Sequence, residues 1–161
     1  MVFIDNLTTT SAVLGRSAGR GVKYGRNPWP SLAESKMAKQ WTVLYVDDEP
    51  EFRDLVVFAL GSRFRVIGVE SCAEALGVIR DFTPDIVLLD VVMPGQDGPA
   101  TLAELRKWPT MAQVPAVFLT ASDTPSQIAA LLALGAAGVV RKPIDFNTLG
   151  NEILACVEPS P

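Results

Sequence analysis

The sequence predicts an α/β protein of the doubly wound type, with a parallel sheet covered by helices on both faces. Short apolar, β-branched runs alternate five times with segments of helical periodicity between residues 41 and 157. The third of these runs is apolar throughout, as in a strand that is buried on both faces. Right-handed crossovers between parallel strands then place helices on both sides of the sheet.

The strands and helices follow from local patterns. Strands are expected at residues 42–46, 64–69, 86–89, 116–119 and 138–140. The first two helices repeat apolar residues at i, i+3, i+4 and i+7, and three of the five helices open with proline, which suits a first helical turn. They are expected from Pro50, from a cap at Ser71, and over residues 99–108, 125–134 and 146–157.

Polar side chains stand where the predicted strands end. Asp47 and Asp48 follow the first strand, and Asp90 follows the third. Thr120 follows the fourth strand, and Lys142 comes just after the fifth. Any one of them alone would be explained as a turn or cap residue. Ligands in doubly wound folds bind beyond the carboxyl ends of the strands, so all five together predict a shared site.

Three carboxylates at one sheet edge repel one another. At about 5 Å and an effective dielectric near 20, each pair costs roughly 3 kcal/mol. Raised pKa values or a bound cation would relieve this repulsion, and oxygen ligands with room for water suit Mg²⁺ better than zinc. The sequence contains no histidine, which excludes histidine-based triads and His-ligated zinc sites.

These motifs resemble the receiver domains of two-component response regulators. The resemblance rests on VDDEP at residues 46–50, MPG and DG in the loop after Asp90, TA at residues 120–121 and KP at residues 142–143. It covers nearly all of residues 41–157. It implies a flavodoxin-like (βα)5 three-layer sandwich with strand order 2-1-3-4-5. Since only four residues follow Val157, we expect a stand-alone, single-domain regulator with no output domain.

The resemblance also implies how the site is used. Asp90 would accept a phosphoryl group from a phosphohistidine on a sensor histidine kinase or a phosphotransfer protein. Mg²⁺ would be held by Asp48 and Asp90 directly, by Asp47 through a water, and by the backbone carbonyl of Val92.

Two further residues are expected to contact the phosphoryl group. Thr120 and Lys142 would bind its oxygens, and the Lys142–Pro143 peptide would be cis. Catalysis would consist of positioning and charge neutralisation, so the domain would catalyse only its own phosphorylation and slow dephosphorylation. It would then not be an enzyme for separate substrates.

The sequence departs from the family at two positions. Receiver domains commonly carry an aromatic residue three positions before the lysine, where this chain has Val139. We therefore hypothesise that signalling relies on the loop after Thr120 and on the fourth helix. Val92 lacks the polar group that often aligns a hydrolytic water, which predicts a longer-lived acyl phosphate.

Two other functions are consistent with parts of this sequence. Phosphatases of the haloacid dehalogenase type carry a second aspartate two residues after the nucleophile, whereas Asp90 is followed by Val91 and Val92. A phosphorylation-independent, receiver-like interaction module stays open as an alternative. The downstream partner is an unknown protein, and homodimerisation on phosphorylation also stays open.

Residues 1–40 are predicted to be a disordered, basic extension, residues 41–157 the receiver domain and residues 158–161 a short tail. The extension carries six basic and two acidic side chains, and the remaining residues carry eight basic and sixteen acidic ones. It is a targeting arm, a functional tail, or an upstream segment that the native product lacks; we favour the third, since Met37 precedes the first strand.

The composition also predicts where the protein acts. An acidic body argues against nucleic-acid binding. No apolar run approaches the roughly 20 residues of a membrane span, and the start does not resemble a secretory signal. We therefore expect a cytoplasmic protein that binds neither nucleic acid nor membrane.

Overall fold

The computed structural model describes residues 40–158, in which strands and helices alternate along the chain. The strands are β1 Trp41–Val46, β2 Phe64–Val69, β3 Ile86–Asp90, β4 Ala116–Thr120 and β5 Gly138–Arg141. The α-helices are α1 Pro50–Leu60, α2 Cys72–Asp81, α3 Gly98–Arg106, α4 Pro125–Ala133 and α5 Leu149–Val157. A 3₁₀ turn, Pro109–Met111, follows α3.

The strands form one parallel sheet in the order β2-β1-β3-β4-β5. Val46 at the end of β1 lies opposite Leu89 on β3, and Asp90 lies opposite Leu119 on β4. This register brings the carboxyl ends of the three central strands to the same edge of the sheet. The predicted α/β doubly wound fold and its strand order 2-1-3-4-5 are confirmed.

Helices cover both faces of the sheet, which explains why the central strands are apolar throughout. Every residue of β3 and of β4 is buried. Successive strand residues point to opposite faces, so two apolar clusters form. One cluster includes Ile79 of α2 and Leu102 of α3, and the other includes Val56 of α1 and Ile153 of α5. The result is the three-layer sandwich that the sequence predicted.

Local chemistry sets the helix ends, and it shifts two of them from their predicted positions. Ser71 Oγ accepts a hydrogen bond from the Glu74 amide and caps α2, as predicted. By contrast, α3 ends at Arg106 instead of continuing to residue 108. Trp108 is extended because the following Pro109 disfavours the helical conformation in the residue before it.

The last helix begins three residues later than its periodicity predicted, at Leu149 instead of residue 146. Asp145 Oδ1 accepts a hydrogen bond from the Asn147 amide, and the Asp145 carbonyl accepts one from the Leu149 amide. Aspartate side chains often stabilise such turns at the expense of helix. This turn replaces the first helical turn that the apolar spacing suggested.

Helix α4 is apolar, but it does not place all of its leucines against the sheet. Leu131 is buried, whereas Leu132 is 44% exposed and Leu134, directly after the helix, is 53% exposed. The helix therefore keeps an apolar surface in solvent.

Two predictions concern segments that lie almost wholly outside the described residues. They are the disordered extension over residues 1–40, of which Gln40 alone is described, and the tail over residues 158–161, of which Glu158 alone is described. Across residues 40–158, none of the helices has the length and hydropathy that crossing a bilayer requires.

Candidate functional site

A cleft of about 220 Å³ opens at the carboxyl edge of the sheet. It contains every residue that the sequence singled out as part of a site. These residues are Asp47, Asp48, Asp90, Val92, Thr120 and Lys142. Glu49 also lines this cleft, although its type and position had suggested no role.

Asp90 ends β3, and each of its carboxylate oxygens accepts a hydrogen bond. Lys142 Nζ donates to Oδ1 at 2.7 Å, and the Val92 amide donates to Oδ2 at 3.0 Å. The Asp90 side chain is 9% exposed. Burial raises the pKa of the Asp90 carboxyl, and the hydrogen bond and positive charge of Lys142 counter part of that rise. The site therefore holds a mostly buried carboxylate whose cost of burial Lys142 offsets only in part.

The loop after Asp90 folds back onto it, and Gly98 makes this approach sterically feasible. The Gly98 amide donates to the Val91 carbonyl at 3.1 Å. A Cβ atom at position 98 would overlap the Asp90 carbonyl oxygen. Because any side chain would push the loop outward, glycine is required for this approach of backbone to backbone.

Asp47 is almost fully buried, and both of its carboxylate oxygens accept hydrogen bonds. The Tyr45 hydroxyl donates to Oδ2 at 2.5 Å, and the Glu49 amide donates to Oδ1 at 2.9 Å. The Arg53 guanidinium donates to the Asp47 backbone carbonyl at 2.6 Å. These bonds fix the orientation of the Asp47 carboxylate at the edge of the cleft.

Thr120 and Lys142 meet where β4 and β5 end. The Lys142 amide donates to the Thr120 carbonyl at 2.7 Å. Thr120 Oγ1 accepts a hydrogen bond from the Ser122 amide at 3.0 Å, so its own hydroxyl hydrogen remains to be donated elsewhere. The Lys142–Pro143 peptide is cis, as the resemblance implied.

The sequence analysis missed two aromatic residues at the site. Tyr45 bonds to Asp47, and the Phe52 ring centroid lies 4.3 Å from Lys142 Nζ. A tyrosine in a buried strand needs a partner for its hydroxyl, so the position of Tyr45 did contain a usable signal. Phe52 contained none, because its helical spacing is that of an ordinary core residue.

The donor set of the cleft fits a magnesium ion. Four carboxylates line it, those of Asp47, Asp48, Glu49 and Asp90, and no histidine or cysteine does so among the described residues. Across residues 40–158, no three histidine, cysteine or carboxylate side chains stand close enough to hold a metal unaided. Mg²⁺ usually keeps several waters and takes only one or two carboxylates, so an open arrangement suits it better than a closed cage would.

Comparison with known proteins assigns this fold and cleft to one family. The sequence profile of the response regulator receiver domain matches residues 43–154. The chain belongs to the response regulator receiver family. Phosphorylation and Mg²⁺ binding are typical of receiver domains, which take part in two-component signalling together with histidine kinases or phosphotransfer proteins and downstream partners.

Two curated relatives are much longer than this receiver. It is 33% identical over 124 residues to the Regulator of RpoS of Escherichia coli K12, covering 73% of this chain and 35% of that protein. It is 30% identical over 114 residues to a probable cyclic di-GMP phosphodiesterase of Vibrio cholerae, covering 71% of this chain and 26% of that protein. The similarity to each therefore concerns a minor part of that relative's length.

The receiver also resembles a solved structure over that structure's whole length. The chemotaxis response regulator CheY4 of Vibrio cholerae matches with a TM-score of 0.69 and 26% sequence identity. The match covers 74% of this chain and 100% of that chain. Together these findings identify a signalling domain.

Proposed function

We propose that Asp90 is the phosphoacceptor of this receiver, and that a phosphohistidine on a sensor histidine kinase or a phosphotransfer protein supplies the phosphoryl group. The observation that carries the proposal is the ion pair between Asp90 Oδ1 and Lys142 Nζ, 2.7 Å apart in the shared cleft. A lysine that directly follows β5 contacts the carboxylate that ends β3, where a phosphoryl group could reach both.

The geometry supports an in-line attack by the Asp90 carboxylate. One carboxylate oxygen bonds to phosphorus while the bond from phosphorus to the donor imidazole nitrogen breaks, which leaves an acyl phosphate on Asp90. Lys142 and the Thr120 hydroxyl stabilise the charge on the phosphoryl oxygens. Asp47, Asp48, Asp90 and the Val92 carbonyl would hold Mg²⁺, which supplies further positive charge when it is bound.

The domain would catalyse its own phosphorylation and slow dephosphorylation without turning over separate substrates. Val92 is 77% exposed and apolar, so it offers a hydrolytic water no hydrogen bond, and the acyl phosphate would be long-lived. The full-length match to a solved chemotaxis response regulator supports a stand-alone regulator that acts on a separate downstream protein. The proposed place of action is the cytoplasm.

Intact-mass measurement of the full chain with Mg²⁺ and acetyl phosphate tests this proposal. The wild type is expected to gain the mass of one phosphoryl group, and Asp90→Asn is expected to gain none. Asp97→Asn is a matched control, since Asp97 is an exposed helix cap beside the same loop and asparagine also caps helices. Labelling of Asp90→Asn would disprove the proposal. An unlabelled wild type at saturating Mg²⁺ would favour the phosphorylation-independent module.

A further inference from the structure

We propose that Phe52 is a positioning residue for Lys142, whose ammonium it holds next to Asp90. This inference rests on the proposed function, because it takes Lys142 to act on the phosphoryl group. Its starting point is the contact between the lysine and an aromatic ring on α1, which no motif in the sequence indicated.

The Lys142 ammonium contacts a carboxylate, that of Asp90, and an aromatic ring, that of Phe52. Its Nζ lies 2.7 Å from Asp90 Oδ1 and 4.3 Å from the centroid of the Phe52 ring. A cation over an aromatic face within about 6 Å of the centroid is attracted by the negative face of the ring. The Lys142 side chain is 25% exposed, so water screens this attraction only in part. The ring and the carboxylate together define where the ammonium lies.

The Phe52 ring is itself held by a second aromatic residue. The ring centroids of Phe52 and Phe146 are 6.1 Å apart, and their planes are inclined by 54°. This is a favourable aromatic geometry. Both rings pack against the apolar cluster that includes Val56 of α1 and Ile153 of α5. Because Phe146 precedes α5, the pair ties the first turn of α1 to the segment that follows Lys142.

The ring contact matters because lysine is a flexible side chain with a mobile point charge. The contact with Asp90 changes when that carboxylate becomes an acyl phosphate, since the charge and the bonding of its oxygens both change. The face of Phe52 is unaffected by that reaction. Phe52 can therefore keep the ammonium close to the reacting oxygens both before and after transfer.

A purely structural role for Phe52 makes a different prediction. If the ring only fills space beside the apolar cluster, an aliphatic residue of similar size should replace it. If the aromatic face positions Lys142, aromatic replacements should preserve its function and aliphatic ones should not. Phe52→Tyr and Phe52→Leu separate the two roles.

The first readout is the NMR spectrum of the unphosphorylated full chain. In the wild type, the Lys142 Hε protons are expected to be shifted upfield by the ring current of Phe52. Phe52→Leu should abolish that shift and Phe52→Tyr should retain it. An unchanged Lys142 spectrum in Phe52→Leu would overturn the proposal, whether or not the protein can be phosphorylated.

The second readout is the rate of phosphorylation by acetyl phosphate at saturating Mg²⁺. Phe52→Leu should slow it by about threefold to tenfold, the range of a partly desolvated cation–π contact, and Phe52→Tyr should restore it. Equal rates in Phe52→Leu and Phe52→Tyr, whether both are reduced or both match the wild type, would indicate a structural role and overturn the proposal. The control is Phe58→Leu on the same helix, because Phe58 is 87% exposed and its replacement should change neither readout.

One further variant keeps the test decisive if Phe52→Leu does not fold. Phe146→Leu leaves the Phe52 ring in place and removes its aromatic neighbour, so a partial loss of both readouts is expected. No loss in Phe146→Leu would contradict the role given to the pair. A wild type that shows the ring-current shift but accepts no phosphoryl group would refute the proposed function and leave the contact established.

Discussion

Two fully buried hydroxyl groups in this receiver have contrasting surroundings. The Tyr45 hydroxyl donates a hydrogen bond to the Asp47 carboxylate. Within the described residues, Thr101 Oγ1 is buried with no nitrogen or oxygen partner, and it interacts with the Cys72 thiol. A thiol is a weak hydrogen-bonding group. The buried Tyr45 hydroxyl therefore has a strong hydrogen-bond partner, whereas the buried Thr101 hydroxyl has only a weak one.

Tyr45→Phe should lower the free energy of unfolding by about 1.5–3 kcal/mol, because it removes a buried hydrogen bond to a charged group. Urea denaturation followed by tryptophan fluorescence measures this difference. Thr101→Val is the matched control, since it also removes one buried hydroxyl at nearly constant shape. It should leave stability unchanged or raise it. A larger loss in Thr101→Val than in Tyr45→Phe would contradict this account.

Asp90→Asn should be more stable than the wild type at neutral pH without Mg²⁺. Burial raises the pKa of Asp90 above that in the unfolded chain, despite the opposing effect of Lys142. The folded chain thus binds a proton at Asp90 more readily than the unfolded chain does. At pH values above the pKa in the folded state, the ionised Asp90 side chain therefore lowers the free energy of unfolding. The penalty disappears as the pH falls through that pKa.

Denaturation of both proteins across a pH series tests this sign. The stability advantage of Asp90→Asn should be largest near neutral pH and should shrink on acidification. An advantage that grows as the pH falls, or a less stable Asp90→Asn at neutral pH, would show that the ion pair with Lys142 outweighs the cost of burial.

At the scale of elements, β5 and α5 approach each other closely at Gly138. A Cβ atom at that position would overlap Cys156 Sγ and lie 2.6 Å from Cys156 Cβ. Gly77, in the middle of α2, has no such neighbour within 4 Å. Close packing against Cys156 therefore requires glycine at position 138, whereas no neighbouring atom requires it at position 77. Replacing each glycine by alanine distinguishes the two cases.

Gly138→Ala should destabilise the protein by about 1–3 kcal/mol, as expected for an overpacked core contact. Gly77→Ala should stabilise it by about 0.5–1 kcal/mol, because alanine loses less conformational entropy in a helix. Thermal unfolding measures both effects. Similar effects of the two substitutions would mean that α5 can move away from β5 without cost.

For the whole molecule, Mg²⁺ binding should raise stability. A ligand that binds the folded state alone adds about 2.7 kcal/mol at one hundred times its dissociation constant. The unfolding midpoint of the wild type should therefore rise with Mg²⁺ concentration. Asp48→Asn should remove most of that rise, because it takes away a proposed direct ligand, whereas Asp97→Asn should preserve it. An equal response in all three proteins would argue against the proposed ligands.

Much of the architecture was predictable because it depends on repeating patterns. The alternation of apolar runs with helical spacing predicted the confirmed fold, and Ser71 caps its helix as expected. The ends of α3 and α5 were less predictable. They depend on Pro109 and on the side-chain turn at Asp145, which compete locally with a periodicity that favours helix.

The order of residues along the chain was enough to identify the polar residues at the strand ends. A parallel sheet brings the carboxyl ends of its strands to one edge whatever the loops do, and Asp47, Asp90 and Lys142 meet for that reason. The side chains that support them became apparent only from the packing of the folded chain. The contacts from Tyr45 to Asp47 and from Phe52 to Lys142 depend on rotamers and on the seating of α1 against the sheet. The spacing of residues along the chain predicts which side chains share a face of a strand or helix. It does not predict how far a side chain on that face lies from a charged group on another element.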